Sequence, residues 1–175
     1  GQKFIPRGVN YIPPASPVTM HDDFRRLHDA GYNTLRILFD DCSAAWGCLV
    51  SQDGLGLNPA ALDGLVALLE LAQQSDLVVL LASAGLPQGS SYAELARQGG
   101  SEWVSGERNL QLLTPQGLLA FRTYWGDLLS GLSARQAPFG VVLGWQLLSE
   151  AWYQGDQPPF TLETGEVTPA NGQTY

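Results

Sequence analysis

Three nearly continuous apolar segments constrain the fold of this chain more than any other feature of its sequence. They are NTLRILF, LVVLLAS and VVLGWQLL, at 33–39, 77–83 and 141–148. Such runs are typical of strands in a parallel sheet that is covered on both faces. A shorter segment at Phe4–Asn10, interrupted by Pro6, predicts a strand that precedes them.

Helical segments separate these strands and predict the order β-α-β-α-β-α-β. The expected helices are Thr19–Ala30, Pro59–Gln74 and Pro115 to about Ala134. Asn58 and Thr114 each precede a proline and are typical N-cap residues for the second and third helices. The stretch at 84–113 is rich in Gly, Ser and Gln and is predicted to be a long loop. Helices between successive parallel strands imply right-handed crossovers.

Composition and charge narrow the range of functions. Hydrophobic residues make up 45% of the 175 residues and charged ones 15%, which suits a folded domain with an apolar core. The formal net charge is −8, and Lys3 is the only lysine. We therefore expect no nucleic-acid partner and no anionic-membrane surface. The sequence also lacks an apolar run of about 18 residues for a membrane span and the glycine-rich motifs that bind nucleotide phosphates.

Candidate site residues follow the predicted strands, because ligands of parallel α/β sheets bind at the carboxyl ends of the strands. The polar residues there are Asn10, Tyr11, Asp40, Asp41, Ser83, Ser149 and Glu150. An aspartate pair can bind a sugar hydroxyl, although a role in a turn is the more common one.

Glu150 is the sharpest of these candidates. If the fourth strand continues to it, Gln146, Leu148 and Glu150 share one side by the alternation of strand side chains. If that side faces the interior of a barrel, partial desolvation favours the protonated carboxyl that a general acid requires. The alternative is a glutamate that caps a following helix.

Arg36 interrupts the second apolar strand. An unpaired buried charge is very costly, so a buried guanidinium needs an acceptor. Arg36 could hold a catalytic carboxylate or pair with an aspartate for stability, and the residues alone leave both roles open.

The tryptophans offer flat apolar rings that match the face of a pyranose. The candidates for a stacking platform are Trp46, Trp103, Trp145 and Trp152. For any one of them, packing in the core is the more common role.

Cys42 and Cys48 lie close together in the segment DDCSAAWGCLV. In a secreted protein they would form a local disulfide, which stabilises the fold by roughly 2 kcal/mol. In a cytosolic protein they would be two free thiols. A metal site is the weakest interpretation, because no histidine lies near and the spacing is not CxxC.

Three segments together resemble the clan A glycoside hydrolases, and within that clan the cellulase and mannanase-like family. They are RGVNYIP at Arg7–Pro13, DDFRRLHDAGYNTLRI at Asp22–Ile37 and GWQLLSE at Gly144–Glu150. The resemblance covers almost the whole chain. It implies an α/β fold in which this chain forms the first four β/α units of a (β/α)₈ TIM barrel, with parallel strands.

The resemblance assigns roles to three residues. Glu150 matches the acid/base glutamate at the end of the fourth strand, and Arg36 matches an arginine that orients the nucleophile. Ser149 stands where the family has an asparagine that binds the 2-hydroxyl of the sugar, and its side chain is shorter. A second departure is Ser83-Ala84-Gly85, where the family often has a histidine.

Further expectations follow from the same resemblance. The substrate-binding residues besides Ser149 are expected to be Asn10, Tyr11, Asp40 and Trp152. An extracellular location favours a disulfide between Cys42 and Cys48. The expected partner is a polysaccharide or oligosaccharide, and neither a metal nor a cofactor is expected.

Length sets the expected domain organisation. A (β/α)₈ barrel usually needs about 250 residues, and the sequence predicts four strands. We expect residues 1–153 to form the amino-terminal half of the barrel and 154–175 a loop or hairpin-like tail, with a turn at Thr164-Gly165. The family's nucleophile belongs to the seventh strand, so this chain supplies the acid/base alone. The open sheet edges of such a fragment invite self-association.

The predicted function is retaining hydrolysis of β-1,4-linked glycans by a parent glycosidase, of which this chain is a fragment that is inactive alone. A carbohydrate-binding or surface protein that has lost catalysis is the alternative, and it is favoured by Ser149 and by Ser83-Ala84-Gly85 in place of the family's histidine. A third possibility is a different α/β enzyme in which Glu150 is a general base.

Overall fold

The chain folds into a parallel sheet with helices, as the computed structural model describes it for residues 3–14, 17–40, 42, 46–98, 107–150, 152–157 and 160–161. Within these ranges there are four strands and five α-helices. The strands are β1 (Gly8–Asn10), β2 (Thr34–Leu38), β3 (Val78–Ala82) and β4 (Val142–Gln146). The helices are α1 (Pro17–Asp29), α2 (Pro59–Gln74), α3 (Ser91–Arg97), α4 (Glu107–Leu113) and α5 (Pro115–Ala134). A short 3₁₀ helix, Phe139–Val141, precedes β4.

The strands lie side by side in sequence order, β1-β2-β3-β4, and each neighbouring pair is parallel. In this register Arg36 lies between Asn10 and Leu80, and Leu80 lies beside Gly144. The predicted α/β fold with a parallel sheet is therefore confirmed. The first strand is shorter than predicted, because pairing is limited to Gly8–Asn10 and Pro6 has no N–H to donate.

Helix starts follow the predicted caps. The side chain of Asn58 accepts a hydrogen bond from the N–H of Ala60, and that of Thr114 accepts one from Gly117. These bonds satisfy N–H groups that a first helical turn leaves without partners. None of the helices in the described ranges combines the length and apolar character needed to cross a membrane.

The predicted long loop at 84–113 is wrong, because α3 and α4 fall within it. Ser90 caps α3, its side chain accepting a hydrogen bond from the N–H of Ala93. The side chains of Tyr92 and Ala96 on this helix are buried in the hydrophobic core. Helices of seven residues are marginal in isolation and depend on such packing, so local composition did not identify them.

Helices cover one face of the sheet. The covered face carries Leu35, Ile37, Val79 and Leu81, which belong to one core with side chains of α1, α2, α3 and α5. The opposite face, here called the inner face, carries the half-buried side chains of Arg36, Leu38, Val78 and Leu80. The predicted covering of both faces is therefore wrong for the described residues. Successive right-handed crossovers between strands in sequence order place their helices on the same side.

A disulfide between Cys42 and Cys48 closes the loop that follows β2. Trp46, inside this loop, is buried, and its indole N–H donates to the carbonyl oxygen of Phe39 at 3.2 Å. Gly64 of α2 packs closely against it, since a Cβ added at Gly64 would lie 2.6 Å from the Cβ of Trp46. Trp46 is thus a core residue and presents no surface for stacking a sugar.

Candidate functional site

Arg36 joins three parts of the sheet at the carboxyl ends of the strands. Its Nε donates to Gln146 Oε1 at 2.9 Å, and its Nη2 donates to Ser149 Oγ at 2.8 Å. Its Nη1 donates to Asn10 Oδ1 at 3.2 Å. All three acceptors are uncharged. Of the two roles left open for Arg36, a pairing with an aspartate is not found among the described residues.

These neutral acceptors satisfy the guanidinium without cancelling its charge. Arg36 is only half-buried, so water as well as the three acceptors solvates the charge, and the desolvation cost stays moderate. The result is a positive centre on the inner face that can attract an anionic group. We call Asn10, Arg36, Gln146 and Ser149 the Arg36 network.

The Arg36 network unites part of the predicted site. Asn10, Arg36 and Ser149 were candidates from the sequence, and the structure brings them together. Gln146 was not singled out as a site residue. Gln146 lies two residues after Gly144 on β4, so the alternation of strand side chains places both on the inner face. This two-residue spacing could have identified Gln146 from the sequence.

The segment after β4 turns sharply. The N–H of Ser149 donates to the carbonyl oxygen of Ser83 at 2.6 Å, which ties this segment to the end of β3. The backbone of Glu150 is left-handed, with φ 53°. Its side chain is exposed and forms no hydrogen bond or ion pair with the described residues.

The expected alternation along the fourth strand is therefore wrong. β4 ends at Gln146, so Leu148 and Glu150 do not share its inner face by strand geometry, and the expected partial burial of Glu150 is not found. The physical cause is the bond from the N–H of Ser149 to Ser83, which redirects the backbone three residues after the strand ends.

Helix α4 holds the backbone around Glu150. Arg108 donates from Nη2 to the carbonyl oxygen of Glu150 at 2.7 Å, and from Nε to that of Trp152 at 3.1 Å. Its guanidinium lies over the indole of Trp152, 4.6 Å from the ring centroid. The fully buried Asn109 exchanges two hydrogen bonds with the backbone of Gln154, both 2.9 Å. Sequence reasoning missed Arg108 and Asn109, because 84–113 was predicted to be a loop.

Asp40 is bound by the end of β3. Its carboxylate accepts from Ser83 Oγ at 2.5 Å and from the N–H of Ala84 at 2.9 and 3.0 Å. Burial raises the pKa of Asp40, although these hydrogen bonds act in the opposite direction. Nearby, the buried Tyr124 hydroxyl makes no well-formed hydrogen bond to a described residue. Burial, and to a smaller extent the negative charge of Asp40, raises the pKa of Tyr124. Asp40 thus fastens the turn after β3, which leaves little capacity for a sugar hydroxyl.

Tyr11 faces away from the Arg36 network. Its hydroxyl donates to Asp23 on α1 at 3.0 Å, and its ring meets the edge of Phe24 at 5.2 Å between centroids. Burial, and next the bond to Asp23, raise the pKa of Tyr11.

Of the remaining candidates from the sequence, Asp41, Trp103 and the turn at 164–165 lie outside the described residues.

Trp152 is the exposed indole beside the site. Trp145 packs on the helix-covered side against Trp125 and Phe139, with centroids 5.9 and 6.0 Å away. Trp152, by contrast, has 50% of its surface exposed. It borders a groove of about 370 Å³, here called the Trp152 groove. The polar side chains that line this groove are Gln88, Arg108, Gln111 and Gln154.

The described residues hold no cluster of three His, Cys, Asp or Glu side chains that could bind a metal ion. Comparison of the sequence with protein-family models and with curated proteins finds no match.

Proposed function

We propose that this chain is the acid/base half of a secreted retaining glycosidase that hydrolyses β-1,4-linked glycans. The observation that carries the proposal is the Arg36 network. A guanidinium without a carboxylate partner among the described residues lies at the carboxyl ends of the strands, and Ser149 links it directly to Glu150. Retaining hydrolysis needs a second carboxylate about 5–5.5 Å from the acid/base, and Arg36 would orient that group.

Several features of the sheet support a (β/α)₈ barrel as the parent fold. The strands follow sequence order, and the helices of the described residues pack on one face. A doubly wound sheet would carry helices on both faces. The half-buried apolar side chains of Leu38, Val78 and Leu80 on the inner face suit the layered interior of a barrel. Without that closure, the open sheet edges of the fragment would promote self-association.

Within this proposal each residue has a defined task. Glu150 protonates the leaving glycosidic oxygen, and a bound sugar that covers its exposed carboxyl supplies the desolvation that the free protein lacks. Ser149 Oγ accepts its bond from Arg36, which leaves its own hydrogen free to donate to the sugar 2-hydroxyl. Arg108 holds the backbone of Glu150 through the carbonyl oxygen.

A carbohydrate-binding protein without catalysis is the second candidate. The exposed, unpartnered side chain of Glu150 favours it, together with Ser149 in place of the family's asparagine. Trp152 and its groove would serve binding in either case.

The test is an assay of the full-length protein on soluble β-1,4-glucan, β-1,4-mannan and β-1,4-xylan. We expect release of reducing ends from at least one polymer, and a loss of about 10²–10⁴-fold in Glu150→Gln. Glu70→Gln, at an exposed position of α2, is the matched control and should retain the parent rate. Binding without hydrolysis would support the second candidate, and a Glu150→Gln variant as fast as the parent would contradict the role of Glu150.

A further inference from the structure

The Trp152 groove contains a positive charge that no described carboxylate balances. Its lining includes Arg108 and the amides of Gln88, Gln111 and Gln154, with no acidic side chain among the described residues. Arg108 donates hydrogen bonds from Nε and Nη2 to the carbonyl oxygens of Trp152 and Glu150, respectively. Its Nη1 has no hydrogen-bond partner among the described residues.

This arrangement differs from that of several other arginines. Arg25, Arg97 and Arg135 each form an ion pair, with Asp22, Glu94 and Asp63 respectively. Arg108 instead stacks on Trp152 and bonds to backbone oxygens. These contacts fix the guanidinium in place while leaving its charge available to a ligand.

The charge is also local. The chain has a formal net charge of −8, so its overall field repels anions at long range. Among the described residues that line the groove, Arg108 is the charged one, so we assign the preference of the groove for an anionic ligand to Arg108. The guanidinium covers one face of the Trp152 indole, while half of the residue's surface stays exposed, so the exposed part of the ring beside Arg108 can pack against a sugar.

We propose that the Trp152 groove binds a uronic acid residue of a β-1,4-linked glycan. The inference rests on the proposed function and names the substrate class for the same site. The sugar packs against the exposed part of Trp152 beside Arg108, its carboxylate accepts from Nη1 of Arg108, and its hydroxyls bond to the amides of Gln88, Gln111 and Gln154. Guanidinium–carboxylate hydrogen bonds are about twice as strong as neutral ones, which gives the acidic sugar its advantage.

Isothermal titration calorimetry with matched sugars tests this at neutral pH, where uronates are ionised. The protein is the full-length chain with Glu150→Gln, so that no probe is cleaved. The probes are the β-1,4-linked trisaccharides of mannuronate and mannose, and those of glucuronate and glucose. Within each pair the members differ only at C6, which is a carboxylate in the uronate and a hydroxymethyl group in the neutral sugar.

We expect the uronate of at least one pair to bind about tenfold more tightly than its neutral partner, a difference of about 1.4 kcal/mol. Arg108→Gln should abolish this preference, and Arg108→Lys should keep part of it through the retained charge. Trp152→Ala should weaken the binding of both members of a pair. Arg122→Gln, at an exposed position of α5, is the control and should keep the full preference.

Equal or weaker binding of both uronates would overturn the inference, as would absence of binding by all four probes. A preference that survives in Arg108→Gln would also overturn it, because the charge would then come from elsewhere. The proposed function can be judged separately. Hydrolysis of a neutral glycan without uronate preference would leave the glycosidase proposal standing, whereas uronate binding without any hydrolysis would favour the binding protein.

Discussion

Replacement of Arg36 by methionine tests whether the strand ends depend on its guanidinium. Methionine keeps an apolar stem at this inner-face position and removes the hydrogen bonds to Asn10, Gln146 and Ser149. These bonds connect β1, β2, β4 and the segment after β4. The substitution therefore loosens the end of the sheet where we place the site.

The expected loss follows from the geometry of the three bonds. Those to Gln146 and Ser149 are part-buried, at 2.9 and 2.8 Å, and each should contribute about 1.5 kcal/mol, the lower end for a charged donor, because water reaches the site. The bond to Asn10 is exposed and 3.2 Å long, so it contributes little. We expect the free energy of unfolding to fall by about 3 kcal/mol, and Tm by about 6–12 °C for a domain of about 150–250 residues.

Urea denaturation of the full-length protein, followed by tryptophan fluorescence and circular dichroism, measures this change. Arg25→Met is the matched control, because its exposed pair with Asp22 should contribute less than about 0.5 kcal/mol. A double-mutant cycle with Ser149→Ala should give a coupling of about 1 kcal/mol with Arg36. A loss below about 1 kcal/mol in Arg36→Met, or no coupling to Ser149, would refute the structural role of the network.

Three further predictions concern other parts of the chain and are measured by urea midpoints. Burial raises the pKa of Asp40, so the folded protein binds the carboxyl proton more tightly than the unfolded chain does. The stabilisation by this proton is complete below the unfolded pKa of about 3.9 and is lost as pH rises through the folded pKa of Asp40. Asp40→Asn should therefore gain stability relative to the parent between pH 4 and 7, and a difference that does not vary with pH would contradict this. Gly64→Ala should destabilise by about 1–3 kcal/mol, because its Cβ would meet Trp46 at 2.6 Å. The control is Gly126→Ala on α5, where a Cβ meets nothing within 4 Å, and it should stabilise by about 0.5–1 kcal/mol. A Gly64→Ala variant more stable than Gly126→Ala would refute the close packing of Gly64 on Trp46. Glu150→Gly should stabilise by about 1 kcal/mol, since it relieves a φ of 53°, and should abolish hydrolysis; lower stability would contradict the left-handed backbone.

The elements with local determinants could be predicted from the sequence. Asn58 and Pro59 define the start of α2, and its predicted span to Gln74 agrees with the structure. The apolar runs locate β2, β3 and β4 to within two residues at each end. Here a short stretch of chain carries both the signal and the physical cause, a cap or a buried strand.

The parts that could not be predicted depend on contacts between distant segments. Helices α3 and α4 are stabilised by packing against α5, and Ser90, the cap of α3, was not recognised in a segment predicted to be a loop. The turn at Glu150 depends on Ser149 reaching Ser83, and no periodicity in GWQLLSE indicates that contact. The neutral partners of Arg36 likewise come together only when the strands align.

A comparison of two leaving groups on one sugar tests the central claim, that Glu150 protonates the leaving oxygen, most directly. In the full-length protein, Glu150→Gln should slow hydrolysis of the preferred β-1,4-glycan about 10²–10⁴-fold. It should leave the first chemical step on the matching 2,4-dinitrophenyl β-glycoside almost unchanged, because that leaving group departs without a proton. Equal losses on both substrates, or no loss on the glycan, would contradict the assignment.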